Sequence, residues 1–215
     1  MSLAERWERD EKQGIMKKII DNFRKEAPLK ERLAYALREI KVINSELSTA
    51  LDRVKQRDKN IFSQVIHAIQ KNDAEHAAIY ANELSELRKL GKFVSQAQLA
   101  LELISLRIET VLTLGEITAG SLAPALGVLR SIQAHVIEVI PEAKKEVEEL
   151  FGTLNSTLIE LNANTDIAVN LEVADDEARK ILEEAEIVAE SKIRENFPEV
   201  PLDLIQSNEQ EELSS

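Results

Sequence analysis

The chain has 215 residues, with 27 Lys and Arg against 39 Asp and Glu, so its net charge is −12. Its 6 glycines and 5 prolines are too few for the frequent turns of a β-sandwich or barrel, and 31% charged residues with 4% aromatics are typical of long helices. The lack of cysteine excludes disulfides and thiolate metal sites, and the acidity disfavours nucleic-acid binding. No apolar run approaches the roughly 20 residues that span a bilayer. We therefore expect an all-α, cytoplasmic protein.

Charge is distributed unevenly along the chain. Residues 1–60 hold 15 basic and 11 acidic side chains, whereas residues 151–215 hold 4 and 16. The basic N-terminal part is suited to binding an anionic surface. The acidic C-terminal part either folds back on the N-terminal part or carries partner-binding motifs. Solubilisation alone explains an acidic end equally well.

A long helical hairpin is expected over about residues 28–114. No Gly or Pro interrupts residues 29–70, and the 43 positions from 28 onward would form a helix about 65 Å long, which needs an equally long antiparallel neighbour. After a turn at 71–73, where Asn72 and Glu75 have capping-box spacing, two heptad rows predict a coiled-coil seam. The apolar row of the first helix is Leu33, Ile40, Leu47, Val54, Ile61 and Ala68. The two rows of the second helix are Tyr80, Leu87, Val94, Leu101 and Ile108, and Leu90, Ala97, Ile104 and Val111.

Shorter helices should follow the hairpin. Pro124 is expected to open a helix that runs to Ile140, and Pro141 should stop it and open the next, over 142–158. Residues 161–173 are expected to be a linker between this core and an acidic helix over 174–195. The polar tail 196–215 is expected to be flexible. The acidic helix carries an apolar stripe that would let it pack back on the hairpin, formed by Ala178, Ile181, Leu182, Ala185, Val188 and Ala189.

An amphipathic segment precedes the hairpin, over residues 1–26. It combines apolar and basic side chains in the pattern of a helix that lies in a membrane interface. The candidate membrane contacts are Trp7, Met16, Lys17, Lys18, Ile19, Ile20 and Phe23. The same stripe is equally suited to packing on the hairpin or on a neighbouring subunit.

Three segments carry a resemblance to a known family: residues 73–84 at the start of the second helix, residues 107–126, and the helix 142–151. With the order of hairpin, short helices, linker, acidic helix and proline motif, they resemble the ESCRT-III family of membrane-remodelling polymers, most closely its archaeal CdvB-type cell-division members. The resemblance spans about residues 20–202. Its sharpest part is similar to the proline-rich motif that binds the MIT domain of an AAA ATPase, and consists of Phe197, Pro198, Glu199, Val200, Pro201 and Leu202.

The resemblance implies a function as well as a fold. It implies filaments of this chain and of other ESCRT-III paralogues on an anionic membrane, for remodelling and scission in archaeal cell division or vesicle budding. The AAA ATPase would disassemble them, and the protein would lie on the inner face of the cell membrane at the division site. The acidic helix would hold the monomer closed, as an autoinhibitory element.

No catalytic pattern stands out in the sequence. There is no phosphate-binding loop and no nucleophile elbow, and His67, His76 and His135 lack the spacing of a metal site. We therefore expect neither an enzyme nor a cofactor. Two alternatives remain: a coiled-coil scaffold or adaptor that dimerises through the seam at 87–111 without polymerising, and a bacterial-type membrane-stress protein, against which the proline motif speaks.

Overall fold

The computed structural model describes residues 28–115, 118–163 and 171–197. Within these ranges the chain is all-α and contains no strand, which confirms the predicted fold class. The helices are α1 (Leu29–Gln70), α2 (Ala74–Leu114), α3 (Ala119–Val139), a 3-10 turn (Pro141–Ala143), α4 (Lys144–Ala163) and α5 (Leu171–Asn196). The predicted amphipathic segment 1–26 and the tail beyond Phe197 lie outside the described residues.

The hairpin is formed by α1 and α2, which pack against each other antiparallel. Arg57 contacts Glu83 across the pair at 2.6 Å, and the Asp58 carboxylate accepts a 2.6 Å hydrogen bond from Arg88. The heptad rows fill the seam because residues seven apart return to the same face of a helix. Its buried members are Leu33, Ile40, Leu47, Val54, Ile61 and Ala68 of α1, and Val94, Ala97, Leu101, Ile104, Ile108 and Val111 of α2.

The turn between α1 and α2 is capped one residue later than the sequence predicts. Asn72 has φ 55° and adopts the left-handed conformation, so it turns the chain and does not cap α2. The Asp73 side chain caps α2 instead, accepting a 3.1 Å hydrogen bond from the backbone N–H of His76. Asparagine tolerates positive φ better than most residues, whereas both Asn and Asp make good caps. The predicted pairing of Asn72 with Glu75 was therefore wrong.

Leu90 also departs from its predicted place in the seam. It is 37% exposed, while the neighbouring Gly91 is buried on the side of α2 that faces α1 and α5. The seam rotates around α2 along its length because 3.6 residues per turn does not match a repeat of seven. A strict heptad extrapolated from the hairpin base therefore misplaces Leu90.

The helix α3 begins earlier than expected. Thr118 caps it: its hydroxyl oxygen accepts a hydrogen bond from the Ser121 backbone N–H, and the Ser121 hydroxyl oxygen accepts one from the Thr118 backbone N–H, which forms a capping box. Pro124 consequently lies inside the helix and does not open it. The capping signal overrides the proline signal here, although Pro124 lies past the first four N–H groups of the helix and so leaves the carbonyl of Gly120 without its usual intrahelical donor.

The last two helices wrap the base of the hairpin. α4 packs on α1 and α3, and α5 packs on α2 and α3. Both are longer than predicted, so residues 161–163 and 171–173 of the expected linker are helical, while 164–170 lie outside the described residues. The main hydrophobic core lies where the five helices meet, and a separate small cluster of Ile61, Val65 and Leu84 stabilises the part of the hairpin nearer its turn.

Candidate functional site

The acidic helix α5 lies on the hairpin, and alanines form the most deeply buried part of its contact face. These are Ala174, Ala178, Ala185 and Ala189, all of them buried. Small side chains let the helix backbones approach closely: a Cβ built on Gly127 of α3 would lie only 2.9 Å from the Cβ of Ala178. The crossing of α3 and α5 therefore requires glycine at 127.

Polar contacts hold α5 to α2 along the rim of this interface. Arg107 pairs with Glu177 at 2.6 Å, and Lys92 pairs with Glu186 at 2.9 Å. The Gln96 side chain donates a 3.1 Å hydrogen bond to the backbone carbonyl of Leu182. The hydrogen bond to Glu186 raises the pKa of Lys92, so its ammonium stays charged when α5 is in place. The acidic helix thus meets cations of α2.

Five of the six residues predicted to form the docking stripe of α5 are buried or half-buried. Ala178, Ala185 and Ala189 are buried, and Ile181 and Leu182 are half-buried and pack against the main core. Val188 is 45% exposed, so its predicted place in the stripe was wrong. The buried row passes instead from Ala185 to Ala189, four residues on and therefore on the same face of the helix, while Val188 is turned away from it.

Phe197, the first residue of the proline motif, is buried against the hairpin and only 4% exposed. Its backbone N–H donates to the carbonyl of Ile193 at 2.9 Å, which continues the helical pattern by one residue. The Arg88 guanidinium lies 5.8 Å from the centre of the Phe197 ring. A Cβ on Gly91 would lie 3.5 Å from the tip of that ring, so the missing side chain makes room for it.

The comparison with characterised proteins gives the family. The chain is 39% identical over 174 residues to Cell division protein B1 of Sulfolobus acidocaldarius, covering 81% of each chain. It is 33% identical over 183 residues to Cell division protein B of the same organism, covering 83% of this chain and 70% of the relative. The chain belongs to the CdvB family of the ESCRT-III type. The resemblance seen in the sequence is confirmed.

The names of these two relatives support a role for the CdvB-family chain in cell division. No protein-family model and no solved structure matches the chain. The remaining candidate residues, Pro198, Val200, Pro201 and Leu202 of the motif and the N-terminal set from Trp7 to Phe23, lie outside the described residues.

A second contact of this CdvB-family chain joins α4 to α1. Arg32 pairs with Glu160, and the Tyr35 hydroxyl donates a 2.6 Å hydrogen bond to Glu149. Glu46 contrasts with these pairs: burial, and then the charges of Glu146 and Glu142, raise its pKa. The two contacts, of α4 with α1 and of α5 with α2, enclose the hairpin base.

The described part of this CdvB-family chain shows no candidate metal cluster. No group of three His, Asp or Glu side chains there is arranged to hold a metal ion. His76 pairs with Asp73 at the turn, and His135 packs against Phe93 with ring centres 5.2 Å apart. Within residues 28–115, 118–163 and 171–197, no helix has both the length and the apolar character needed to cross a membrane.

The sequence patterns missed the two glycines that receive α5. Gly91 and Gly127 lie inside helices, where glycine costs about 1 kcal/mol relative to alanine, so each indicates a close approach of some kind. A glycine inside a helix therefore indicates where another segment approaches closely, but it does not indicate which segment. Arg107 and Lys92 were missed as well, because nothing local distinguishes them from other exposed cations.

Proposed function

We propose that this chain is an ESCRT-III-type subunit that assembles into membrane-associated filaments in cell division. The observation that carries the proposal is the packing of the acidic helix α5 on the hairpin of a CdvB-family chain. The protein itself catalyses nothing. Its work is mechanical, and an AAA ATPase supplies the energy for disassembly.

The closed arrangement gives a physical basis for regulated assembly. α5 covers the side of α2 from Arg107 to Arg88 and the Gly127 face of α3. Release of α5 exposes these surfaces to a neighbouring chain or to the membrane. A contact between two different surfaces of like subunits gives an open filament wherever its rotation does not close a ring, with this chain or its paralogues as the next subunit.

Gly127→Ala tests whether α5 holds the chain closed. Alanine favours the helical conformation of α3 by about 0.5–1 kcal/mol, yet its Cβ would overlap Ala178, whose own Cβ cannot rotate away. We therefore expect an intact hairpin from which α5 is displaced. Gly152→Ala is the matched control, because a Cβ at that helical position of α4 meets nothing within 4 Å.

Assembly is measured by sedimentation with and without anionic liposomes, followed by negative-stain microscopy. We expect Gly127→Ala, and a chain ending at residue 173, to sediment as filaments at concentrations where the wild type and Gly152→Ala stay monomeric. Equal sedimentation of all four proteins would contradict the autoinhibitory role of α5. Particles of one fixed size in every variant, indifferent to lipid, would instead favour the non-polymerising scaffold or adaptor.

The tail is proposed to recruit the ATPase. Prolines at 198 and 201 restrict the chain towards polyproline II, which lowers the entropy cost of binding in a groove between helices. A peptide of residues 194–206 should bind the MIT domain of the cognate ATPase, and Val200→Asp with Leu202→Asp should abolish binding. Ser207→Asp in a peptide extended to residue 208 is the control, and equal affinity of all peptides would exclude this motif.

Membrane contact is proposed for the N-terminal segment, which would bring the protein to the inner face of the cell membrane at the division site. Met16→Asp with Ile20→Asp should reduce flotation with anionic vesicles, since both changes remove apolar surface and add negative charge. Full vesicle binding by this variant would show that another subunit or another surface supplies the membrane contact.

A further inference from the structure

A groove runs along the outside of the hairpin base, where α4 packs on α1. Tyr35, Val42 and Glu46 share one face of α1, because they lie seven and four residues apart. Tyr35 and Glu46 both face α4, so Val42 lies at the groove as well. Val42 is 40% exposed, and Ile159 on the outer side of α4 is 61% exposed. This α1–α4 groove therefore carries apolar side chains that no described helix covers.

The α1–α4 groove is also acidic, and some of its acids lack a counter-charge. Burial, and then the charges of Glu146 and Glu142, raise the pKa of Glu46, and no described cation acts against this rise. One carboxylate oxygen of Glu46 and one of Glu146 are buried without a hydrogen-bond donor in the described ranges. The lysines at the start of α4 pair instead with Glu148 and Glu149. A cationic segment lying in the groove would reduce the repulsion.

The N-terminal segment ends where this groove begins. Pro28 directly precedes α1, and Arg32 in the first turn of α1 pairs with Glu160 in the last turn of α4. A residue before a proline disfavours the helical conformation, so the chain is suited to turn at Ala27. A segment that turns back there enters the groove and runs along it towards Val42, about 21 Å along α1 from Pro28.

Residues 14–26 match the groove in length and in charge. As a helix they would cover about 20 Å, and a turn at Ala27 brings Ile15 level with Val42. The segment has four basic and two acidic residues: Lys17, Lys18, Arg24 and Lys25, and Asp21 and Glu26. Its apolar stripe can therefore pack on the exposed apolar side chains of the groove while its cations face the acids of α4.

We propose that residues 14–26 of the same chain bind in the α1–α4 groove, with their apolar stripe towards Val42 and Ile159. The proposal rests on the proposed function in one respect: this stripe is the part of the chain expected to contact the membrane. The groove and the bilayer then compete for the same side chains. A subunit away from the membrane keeps its stripe covered, and anionic lipid has to displace the segment before binding it.

Disulfide trapping tests this arrangement, because the chain has no cysteine and an engineered pair has no competing thiol. The test protein carries Ile15→Cys with Val42→Cys, and the control carries Ile15→Cys with Leu106→Cys, at a 59% exposed position of α2. The Gln98 side chain donates a 3.4 Å hydrogen bond to the Asn44 carbonyl, so these two residues lie level in the antiparallel hairpin. Leu106 is therefore nearer the start of α1 than Val42 is, and a freely tethered segment reaches it at least as easily.

We expect the pair at 15 and 42 to form its disulfide about tenfold faster than the pair at 15 and 106, in dilute full-length protein without lipid. Each rate is divided by the rate at which the single cysteine at 42 or 106 reacts with oxidised glutathione, which removes differences in local reactivity. Lys17→Glu with Lys18→Glu should lower the first rate towards the second. Equal normalised rates for the two pairs would overturn the proposal. Disulfides between two chains would also overturn it and assign the groove to the segment of a second copy.

This experiment is independent of the proposed membrane contact. Trapping uses no lipid, whereas the flotation assay of the Met16→Asp, Ile20→Asp variant uses vesicles. Failure of trapping with reduced flotation of that variant therefore rejects the groove alone. Successful trapping with full flotation of that variant rejects the membrane contact of the stripe alone.

Discussion

Glu46 is a carboxylate whose surroundings disfavour its charge. Burial and the nearby Glu146 and Glu142 raise its pKa above 4.5. A group whose pKa is raised in the folded state contributes stability below its unfolded pKa, and that stability is lost as the pH rises through the folded pKa. At neutral pH, the repulsion of Glu46 by Glu146 and Glu142 therefore lowers the free energy of unfolding.

We expect Glu46→Gln to increase the free energy of unfolding at pH 7, because the amide keeps the shape and removes the charge. The increase should shrink as the pH falls and vanish below pH 4.5, where Glu46 is protonated in the unfolded chain as well. Chemical denaturation at several pH values measures this. Glu102→Gln, at an exposed position of α2, should show no such trend. A stability loss on Glu46→Gln at pH 7 would contradict this electrostatic assignment.

Asp58 is the opposite case, an acid whose burial is compensated. It is 2% exposed and accepts two hydrogen bonds from Arg88, at 2.6 and 3.3 Å. We expect Asp58→Asn to lower the free energy of unfolding by about 1–3 kcal/mol, since Arg88 keeps its charge and loses the charge of its partner. Thermal unfolding measures the loss. Asp52→Asn, at an exposed position six residues earlier in α1, is the control. An equally small change in both variants would show that Arg88 finds other compensation.

At the scale of elements, α5 is held by small apolar contacts and by ion pairs at its rim. Arg107 and Glu177 are both partly exposed, and pairs of this kind contribute about 0.2–1 kcal/mol, less at high salt. Arg107→Glu should therefore shift α5 towards release by a few fold. Arg107→Glu with Glu177→Arg should restore the wild-type balance, because the attraction returns with its direction reversed. Hydrogen exchange of residues 171–197 reports the shift, and failure of the double variant to recover would exclude this pair.

The sequence predicts elements well where the information is local. The seam of the hairpin follows from apolar residues seven apart, and Pro141 correctly separates α3 from α4. The errors arise where two local signals compete, as with Thr118 and Pro124, or where the drift of the seam moves a residue off its face, as with Leu90 and Val188.

The site is less predictable for a different reason. The acidic helix α5 and most of its apolar stripe can be predicted from amphipathicity. The need for glycine at 127 comes from the helix that crosses it, and no pattern in α3 specifies that this helix is α5. The burial of Phe197 likewise depends on Gly91, which lies 106 residues earlier. Pairings between distant segments need the tertiary structure.

At the scale of the whole molecule, the hairpin is unevenly supported. Its base takes part in the core shared by all five helices, whereas the half near the turn has the small cluster of Ile61, Val65 and Leu84, flanked by partly buried residues such as Tyr80 and Leu87. A region with fewer buried contacts opens at a lower free-energy cost than the global unfolding of the protein. Backbone amides near Val65 and Leu84 should therefore exchange hydrogen sooner than those near Ile40 and Ile104. Protection that is uniform along both helices would contradict this gradient.

Because of that gradient, the hairpin is stiffer at its base than at its turn. A helix of 42 residues extends about 63 Å, and its stiffness at the base comes from neighbours that the far end lacks. Bending energy concentrates where the cross-section is thinnest, so a chain fixed at its base yields near residues 61–84. In the filament proposed above, successive subunits would then differ in curvature at the turn while their bases keep the same geometry.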